Sequence, residues 1–224
     1  MEKFAVIVAG GSGLRMGTDT PKQFLLLNGK PVLWHTINQF LNAYIDLNCI
    51  LVLPQEHIAK GEEIKEMFSI NANRITIAIG GATRFHSVKN GLKLIDKNAI
   101  VFVHDGVRCL VDESLIKRCY SQAVETGSAI PAVAATDSIR IVDGVNNKVA
   151  DRNNVRIIQT PQTFQSNLLL EAFEQEFNQG FTDEATVVEA MGKPVFLCDG
   201  DYNNIKITRP IDLLIAESIL ASGK

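Results

Sequence analysis

The chain has no excess of positive charge and no long hydrophobic run. Its 22 Lys and Arg residues are outnumbered by 25 Asp and Glu residues, which gives a formal net charge of −3 over 224 residues. Non-specific nucleic-acid binding needs a basic surface, so the charge argues against that class of protein. No apolar run approaches the length of a membrane span, and residues 1–3 lead directly into a predicted strand without a secretory signal pattern. We therefore expect a cytoplasmic protein.

Cysteine and histidine are also scarce. The four cysteines include no C-x-x-C pair, and the four histidines show no metal-ligand spacing. Cys49 and Cys198 lie in apolar runs typical of strands, where a free thiol packs as a small apolar side chain. We expect four buried free thiols and, among the histidines, at most a supporting role in which His104 orients Asp105.

A glycine-rich segment follows the first predicted strand. The apolar residues 4–8 lead into residues 9–17, whose sequence AGGSGLRMG contains four glycines. A glycine lets backbone N–H groups approach phosphate oxygens, because no Cβ holds the ligand away. The segment indicates a phosphate-binding loop, and the alternative is an ordinary turn between a strand and a helix.

The spacing of this loop excludes two common nucleotide-binding motifs. A Walker loop would end in Gly-Lys-Ser/Thr, where this chain has the residues 16–18, Met-Gly-Thr. A G-x-G-x-x-G dinucleotide loop is one residue shorter, and no acid ends the second predicted strand to hold a ribose. A nicotinamide-dependent oxidoreductase is therefore disfavoured. The segment instead carries two cations, Arg15 and Lys22, which could fold over a polyphosphate.

Strands and helices alternate along most of the chain with short connections. This pattern predicts a single domain over residues 1–224, an α/β fold with a Rossmann-like, mostly parallel twisted sheet and helices on both faces. Ligands of such sheets bind at the carboxyl ends of the strands, where residues 10–17, 80–84, 105–108 and 136–138 should meet in one crevice. Strands are predicted at 4–8, 50–53, 75–79, 100–104, 129–134 and 195–198, and helices at 31–41, 59–68, 85–94, 113–126, 167–177, 183–191 and from 210 onwards.

The alternation breaks between about residues 136 and 159. Residues 138–142 and 148–152 predict a hairpin around the turn 143–147, and residues 155–159 a further strand. An insertion without a helix should project as a β-arm, and such arms commonly bury their apolar side against a second subunit. We expect a homodimer, and the alternative is a flap folded on its own domain.

Eight short segments follow one another in a fixed order along the chain. They are AGGxGxRM (9–16), PKQ (21–23), GGAxR (80–84), HDGxR (104–108), DRN (151–153), TPQ (160–162), TDEA (182–185) and NIKxTRP (204–210). Together they resemble one family, the 2-C-methyl-D-erythritol 4-phosphate cytidylyltransferases, over about residues 4–219. The resemblance implies a fold of the nucleotidyltransferase type and a reaction in which CTP and 2-C-methyl-D-erythritol 4-phosphate, with Mg²⁺, give 4-diphosphocytidyl-2-C-methyl-D-erythritol and pyrophosphate for isoprenoid precursors.

The resemblance also implies a role for each matching residue. The arm of a partner subunit would supply Arg152 and Thr160, so that each active site is shared. Asp105 would reach the ribose and could assist Mg²⁺. The implied catalytic residues are Arg15, Lys22, Arg152 and Lys206; the nucleotide-binding residues are Ala9, Gly10, Gly11, Gly13, Gly81, Ala82, Ser87, Asp105 and Gly106; and the residues that bind methylerythritol phosphate are Arg108, Ser138, Arg152, Thr160 and Lys206.

Several of the charged residues also have a purely structural interpretation. Arg84 could cap its loop, Arg108 could form a structural ion pair, and Asp105 could accept backbone N–H groups. Asp183 and Glu184 could simply begin a helix.

The chain departs from the family pattern at two positions. Cys109 stands where the family usually has proline, so this loop could be less rigid or the thiol could face the site. Asn203 stands where an acid is common. Contacts to substrate hydroxyls in that corner are therefore left open.

Two rival functions remain. A ribitol 5-phosphate cytidylyltransferase would share the glycine loop, the arm and the CTP chemistry, but the segments 80–84 and 182–185 favour methylerythritol phosphate. A nucleotide-binding regulator without turnover would be expected to lose Arg15, Lys22 or Lys206, and all three are present.

Overall fold

The structure is a computed structural model that describes residues 1–11, 20–95 and 98–222. Strands and helices alternate over most of this length, as the apolar pattern predicts. The strands are β1 (Glu2–Val8), β2 (Leu26–Leu27), β3 (Lys30–Pro31), β4 (Leu47–Leu53), β5 (Ile75–Ile79), β6 (Ala99–Asp105), β7 (Ser128–Ala134), β8 (Ile139–Asp143), β9 (Asn146–Ala150), β10 (Arg156–Ile158), β11 (Gln162–Gln165) and β12 (Leu197–Asp199). The α-helices are α1 (Val32–Ala43), α2 (Ile58–Glu66), α3 (Arg84–Leu92), α4 (Glu113–Thr126), α5 (Ser166–Ala172), α6 (Glu184–Ala190) and α7 (Pro210–Ala221).

Eight of the described strands form one central sheet. Strands β6, β1, β4 and β5 lie side by side in that order and run parallel. On the other side of β6, β11 runs antiparallel to both β6 and β7, while β7 also pairs with β12 in parallel and with β10 in antiparallel orientation. The predicted mostly parallel sheet is confirmed, with β10 and β11 as the strands of opposite direction.

Helices cover both faces of this sheet, as predicted. Successive side chains of a strand point to opposite faces. Ala5 and Ile7 of β1 accordingly pack in a core with residues of α1, α2 and α4, whereas Val6 packs in a second core with residues of α3, α5 and α6. All three side chains are fully buried, so β1 is enclosed from both sides.

Strand β11 was not predicted. Its four residues include one apolar side chain, Phe164, and they directly follow a proline, so neither length nor apolar pattern identifies them as a strand. The strand is inserted between β6 and β7 and separates them. Residues 136–138, which follow β7, are accordingly not among the described residues that line the crevice defined below.

The helix predictions differ mainly in their ends. Helix α4 has the predicted bounds, and its predicted cap is present, since the Asp112 carboxylate accepts the Leu115 N–H at 2.7 Å. Helix α5 ends at Ala172 instead of 177, and Phe173, the residue after it, stacks its ring on that of Phe85 with 4.8 Å between centroids. Within the described part of the chain, no helix is long and apolar enough to cross a membrane.

The predicted hairpin is present and exposed. Strands β8 and β9 form a two-stranded sheet of their own, and their apolar side chains Ile141, Val142 and Val149 are 52%, 69% and 70% exposed. Strand β10 rejoins the main sheet, so the segment outside the sheet is shorter than the predicted insertion 136–159. The dimeric role of this arm stays a prediction.

All four cysteines are free thiols. Cys49, Cys109 and Cys119 are buried, as expected, whereas Cys198 is half-buried. Burial raises the pKa of Cys49 and of Cys109 to about 12, so both remain protonated and unreactive near neutral pH.

Replacing Phe40 by alanine tests the packing of α1 against β6. Phe40 is fully buried, and its ring contacts those of Phe102 and His104 with centroid distances of 5.8 and 5.0 Å. We expect Phe40→Ala to lower the free energy of unfolding by about 3–5 kcal/mol in urea unfolding, because it leaves a cavity. Ile70→Ala, at a side chain that is 88% exposed, is the control and should change it by less than about 0.5 kcal/mol. Equal effects of the two substitutions would contradict this packing.

Candidate active site

One crevice lies at the carboxyl ends of β1, β4, β5 and β6. Its volume is about 560 Å³, which suits a ligand of nucleotide size. The position agrees with the rule that parallel sheets bind ligands at this edge. The crevice is lined by residues 8–11, 22–23, 52–56 and 79–84, and by Ser87, Asp105, Val107 and Lys206.

The described start of the glycine loop, residues 9–11, lines the crevice and is held by two hydrogen bonds. The Ala9 N–H donates to the Val52 carbonyl at 3.0 Å, and the side-chain amide of Gln23 donates to the Ala9 carbonyl at 2.9 Å. A Cβ on Gly11 would lie 3.8 Å from Cε of Lys22, so the lysine stem lies next to this glycine. Ala9, Gly10, Gly11 and Lys22 therefore meet as predicted from the sequence, and Gly13 and Arg15 lie outside the described residues.

The loop after β5 forms a second wall and is tightly folded. The Gly81 N–H donates to Ser87 Oγ at 3.0 Å, and the Ser87 hydroxyl donates to the Thr83 carbonyl at 3.0 Å. A Cβ on Gly81 would lie 2.4 Å from Cβ of His86, so only glycine fits there. Gly81, Ala82 and Ser87 all line the crevice, which is where the resemblance places the base.

Asp105, the last residue of β6, forms the centre of a charge cluster. Its carboxylate lies 3.0 Å from Nζ of Lys206, 3.4 Å from Nε of Arg108 and 3.5 Å from Nη2 of Arg84. Burial raises the pKa of the Asp105 carboxyl, but the charges of Arg84, Lys206 and Arg108 outweigh it and hold this pKa far below its ordinary value. Asp105 is therefore an anion at any physiological pH.

Arg108 has the structural interpretation considered above. Besides the contact with Asp105, its Nη1 donates to the carbonyl of Asn204 at 2.8 Å, which ties the segment before Lys206 to β6. The Asn204 amide also donates to the Thr160 carbonyl at 2.8 Å. Arg108 is not among the described residues that line the crevice, so its predicted contact with substrate stays a prediction.

Thr160 lies behind Asp105 in the same chain, and the expectation that the arm of a partner supplies it is wrong. Thr160 is 5% exposed, and its Oγ1 accepts the Asp105 N–H at 3.1 Å. His104 Nε2 lies 3.1 Å from the Arg108 carbonyl, which can only accept, so Nε2 carries the proton and Nδ1 accepts the Thr160 hydroxyl at 3.0 Å. His104 therefore contacts Asp105 indirectly: it holds the Thr160 hydroxyl, and this hydroxyl accepts the Asp105 N–H.

Gly106 lies behind the wall of the crevice. Its N–H donates to the Val8 carbonyl at 2.9 Å, and its carbonyl accepts the Thr36 hydroxyl at 3.0 Å. A Cβ on Gly106 would lie 2.9 Å from Cβ of Ala9, so the close approach of β6 to the glycine loop requires glycine here.

The two residues predicted on the arm are not brought to the crevice within one chain. Arg152 and Ser138 are exposed, and Nη1 of Arg152 donates to the Thr136 carbonyl at 3.0 Å. Neither is among the described residues that line the crevice, so their roles depend on a second subunit and stay predictions.

Neither of the two residues that depart from the family pattern is among the described residues that line the crevice. Cys109 is fully buried and packs with Leu27, Leu110 and Ile207, so it does not face the crevice. Asn203 is exposed, and its N–H donates to the carboxylate of Asp201 at 2.8 Å.

An ion pair that the sequence did not reveal lies next to Asp105. Arg84 donates to both carboxylate oxygens of Glu184, which begins α6 and is 1% exposed. The sequence does contain opposite charges in the segments 80–84 and 182–185. Nothing in the sequence, however, shows that two residues 100 positions apart form a pair. Asp183 caps α6 by accepting the Thr186 N–H at 3.0 Å, as its structural interpretation predicts.

The described residues of the crevice include no cluster of potential metal ligands. Within residues 1–11, 20–95 and 98–222, no group of three or more His, Cys, Asp or Glu side chains is arranged to hold a metal ion. Asp105, the predicted ligand, is already bound by three cations, which is a poor setting for a carboxylate that should attract Mg²⁺.

The buried His104 predicts a pH dependence of stability. Burial lowers its pKa to about 4 from the ordinary 6.5. The unfolded chain therefore takes up a proton below pH 6.5 that the folded chain takes up only near pH 4, and stability falls as the pH falls through this window. Between about pH 7 and pH 4.5 we expect a loss of about 2–3 kcal/mol from this residue.

Urea unfolding of the wild type and of His104→Gln at both pH values measures this contribution to the free energy of unfolding. Glutamine keeps a donor near the position of Nε2 but takes up no proton. The free energy of unfolding should therefore fall by about 2–3 kcal/mol less in the variant than in the wild type between the two pH values. Equal losses in the two proteins would contradict the assignment, because all other titrating groups are shared.

Comparison with known proteins relates nearly the whole chain to one family. A family model described as 2-C-methyl-D-erythritol 4-phosphate cytidylyltransferase matches residues 4–222. Proteins of that name from Bacteroides fragilis and Clostridium botulinum are 46% and 40% identical to the chain, over 98% and 96% of it and 100% and 98% of their own lengths. The crystal structure of the Thermus thermophilus protein of that name, 29% identical, has a TM-score of 0.75 and covers 99% of this chain and 100% of its own. That of a 4-diphosphocytidyl-2C-methyl-D-erythritol synthase from Anaerococcus prevotii, 28% identical, has a TM-score of 0.83 and covers 98% of both chains. The chain therefore belongs to the 2-C-methyl-D-erythritol 4-phosphate cytidylyltransferase family.

Proposed function

We propose that this chain transfers the cytidylyl group of CTP to 2-C-methyl-D-erythritol 4-phosphate, forming 4-diphosphocytidyl-2-C-methyl-D-erythritol and pyrophosphate for the non-mevalonate synthesis of isoprenoid precursors. Family membership over residues 4–222 supports the proposal. The structural observation that carries it is the meeting of Lys206 and Asp105, 3.0 Å apart, at a crevice that Lys22 also lines. The proposed setting is a homodimer in the cytoplasm.

The reaction brings two anions together. A phosphate oxygen of the acceptor attacks the α-phosphorus of CTP, a new P–O bond forms, and the bond from this phosphorus to the bridging oxygen of pyrophosphate breaks. The attacking phosphate is already ionised near neutral pH, so no general base is required. The enzyme must hold both phosphates and neutralise the charge that develops, which is the proposed role of Arg15, Lys22 and Lys206.

The loop after β5 is proposed to select the base. Gly81 and Ala82 present backbone groups at the crevice, and the bonds of Ser87 to this loop keep it narrow. Small residues in a rigid loop suit a pyrimidine and exclude a purine. Asp105, at the neighbouring strand end, is proposed to accept hydrogen bonds from the ribose hydroxyls, since it is an anion that lines the crevice.

The acceptor phosphate is proposed to bind between Lys206 and the arm of a second subunit. Arg152 and Ser138 are exposed on or beside the arm, where they can reach another molecule. Thr160 is assigned a supporting role, because its hydroxyl is already bonded to Asp105 and His104.

Mg²⁺ is proposed to enter with CTP. Magnesium is commonly held by substrate phosphates and few protein ligands. This agrees with a crevice whose principal carboxylate is bound by cations. The bound ion would screen the charge of the triphosphate.

A substrate panel tests the function. Purified protein with CTP and Mg²⁺ is expected to release pyrophosphate with methylerythritol 4-phosphate and much less with ribitol 5-phosphate or glycerol phosphate. Faster release with ribitol 5-phosphate would instead support the rival cytidylyltransferase. Binding of CTP without release from any acceptor would support the non-catalytic regulator.

Single substitutions test the proposed cations. Lys22→Ala and Lys206→Ala are each expected to reduce turnover on the order of a hundredfold or more, because a charge near the α-phosphorus or the leaving group is lost. The control is Lys193→Ala, at an exposed lysine that is not among the described residues lining the crevice, which should retain wild-type turnover. A purified and folded Lys22→Ala protein with unchanged turnover would remove that residue from the catalytic set.

Mixed dimers test the shared site. Lys22→Ala and Arg152→Ala subunits, each inactive alone, should regain part of the activity when mixed, because one of the two sites in a heterodimer then has both residues intact. Two different affinity tags would establish that the heterodimer has formed. A verified heterodimer without any rescue would argue that Arg152 acts within its own chain or not at all.

A further inference from the structure

An ion pair at the crevice, between Arg84 in its wall and the buried Glu184, has no part in the chemistry described so far. Both terminal nitrogens of Arg84 donate to Glu184, Nη1 to Oε1 and Nη2 to Oε2, the latter at 3.1 Å. The same Nη2 lies 3.5 Å from Oδ1 of Asp105. Arg84 therefore bridges two carboxylates, of which Asp105 lines the crevice and Glu184 does not.

Glu184 is held rigidly on the scaffold. Gln162 of β11 donates from its side-chain amide to the Asp183 carboxylate at 2.8 Å and accepts the Ala185 N–H at 2.8 Å, so it clamps both neighbours of Glu184. Gln162 is itself paired with Val103 of β6, the strand that ends at Asp105. Both carboxylates that Arg84 bridges are thus fixed to the same strand.

Net stabilisation is a poor explanation for this pair. Glu184 is 1% exposed and Arg84 is 31% exposed, and both oxygens of Glu184 accept N–H groups from a guanidinium that stays charged, so the pair is a salt bridge whose carboxylate is buried. Replacing a buried salt bridge by apolar residues is often neutral or stabilising, because desolvation offsets the attraction. What the pair does provide is one fixed orientation for a side chain with several rotatable bonds.

Arg84 also connects two parts of the proposed nucleotide site. It is the first residue of α3, directly after the loop 80–83 that lines the crevice. Its guanidinium contacts Asp105 at the end of β6. A shift of this side chain would therefore alter how Asp105 is directed relative to the base loop.

We infer that Glu184 is a positioning residue for nucleotide recognition. By fixing the guanidinium of Arg84, it holds the Asp105 carboxylate in the orientation that accepts the ribose hydroxyls, without touching the nucleotide itself. The inference rests on the proposed function for the role of Asp105. It assigns to Glu184 a part in the choice of ribonucleotide over deoxyribonucleotide.

Binding of CTP and of 2′-deoxy-CTP, measured by calorimetry with Mg²⁺ present, tests this role. The ratio of the two dissociation constants reports how well the ribose hydroxyl is recognised, and a general loss of stability does not change it. Glu184→Gln keeps the size of the side chain and removes the bidentate acceptor, and we expect the preference for CTP to fall about tenfold. Glu184→Asp, which keeps the charge, should restore part of the preference.

Two further variants separate positioning from charge and from folding. Glu113→Gln removes a carboxylate from the exposed pair with Lys117 and should keep the wild-type preference. Because Glu184 acts through Arg84, adding Glu184→Gln to Arg84→Gln should change the preference no further. If Glu184→Gln alone does not fold, Glu184→Asp takes its place: its shorter side chain should lower the preference by less than Arg84→Gln does, and an unchanged preference in it would count against the inference.

Three results would overturn the inference. They are an unchanged preference in folded Glu184→Gln, an additive loss in the double variant, and a wild type that does not prefer CTP. Tighter binding of both nucleotides with an unchanged preference belongs to the first of these, since it would mean that Glu184 contributes only its charge. The measurement uses no acceptor, so failure of turnover with methylerythritol phosphate is a separate result that concerns the proposed function.

Discussion

The carboxylate of Asp105 is the interaction on which the described site depends. Lys206, Arg108 and Arg84 come from three separate parts of the chain and meet it at 3.0, 3.4 and 3.5 Å. A buried charge without its partners is strongly destabilising, so each of the three segments is held in place by the same group. The ion pairs of Asp105 therefore shape this side of the crevice and also hold the three segments of the fold together.

The elements could be predicted from the sequence where the pattern is local. Strand β5 and helix α4 have the predicted bounds, because the period of a strand or helix is complete within one segment. Strand β11 could not be predicted in the same way. It exists because β6 and β7 offer their backbone groups on either side, and this is a property of the assembled sheet and not of the residues 162–165.

The site shows the same division. Motifs in the sequence identified Lys22, Asp105 and Lys206, since each stands in a segment with its own recognisable chemistry, and the structure brings all three to one crevice. The bond between Arg84 and Glu184 could not be derived, because it depends on the tertiary fold that brings the first residues of α3 and α6 together. The place of Thr160 behind its own Asp105 depends likewise on the pairing of the strands around it.

The wide separation of these partners along the chain sets the order of events during synthesis. On a ribosome that adds roughly 5–20 residues per second, Arg84 and Asp105 emerge on the order of ten seconds before Lys206. Every strand of the central sheet among the described residues precedes Lys206 in the chain, since the last of them ends at Asp199. The charge cluster around Asp105 can therefore be completed only after all of these strands have been synthesised, because its lysine comes last.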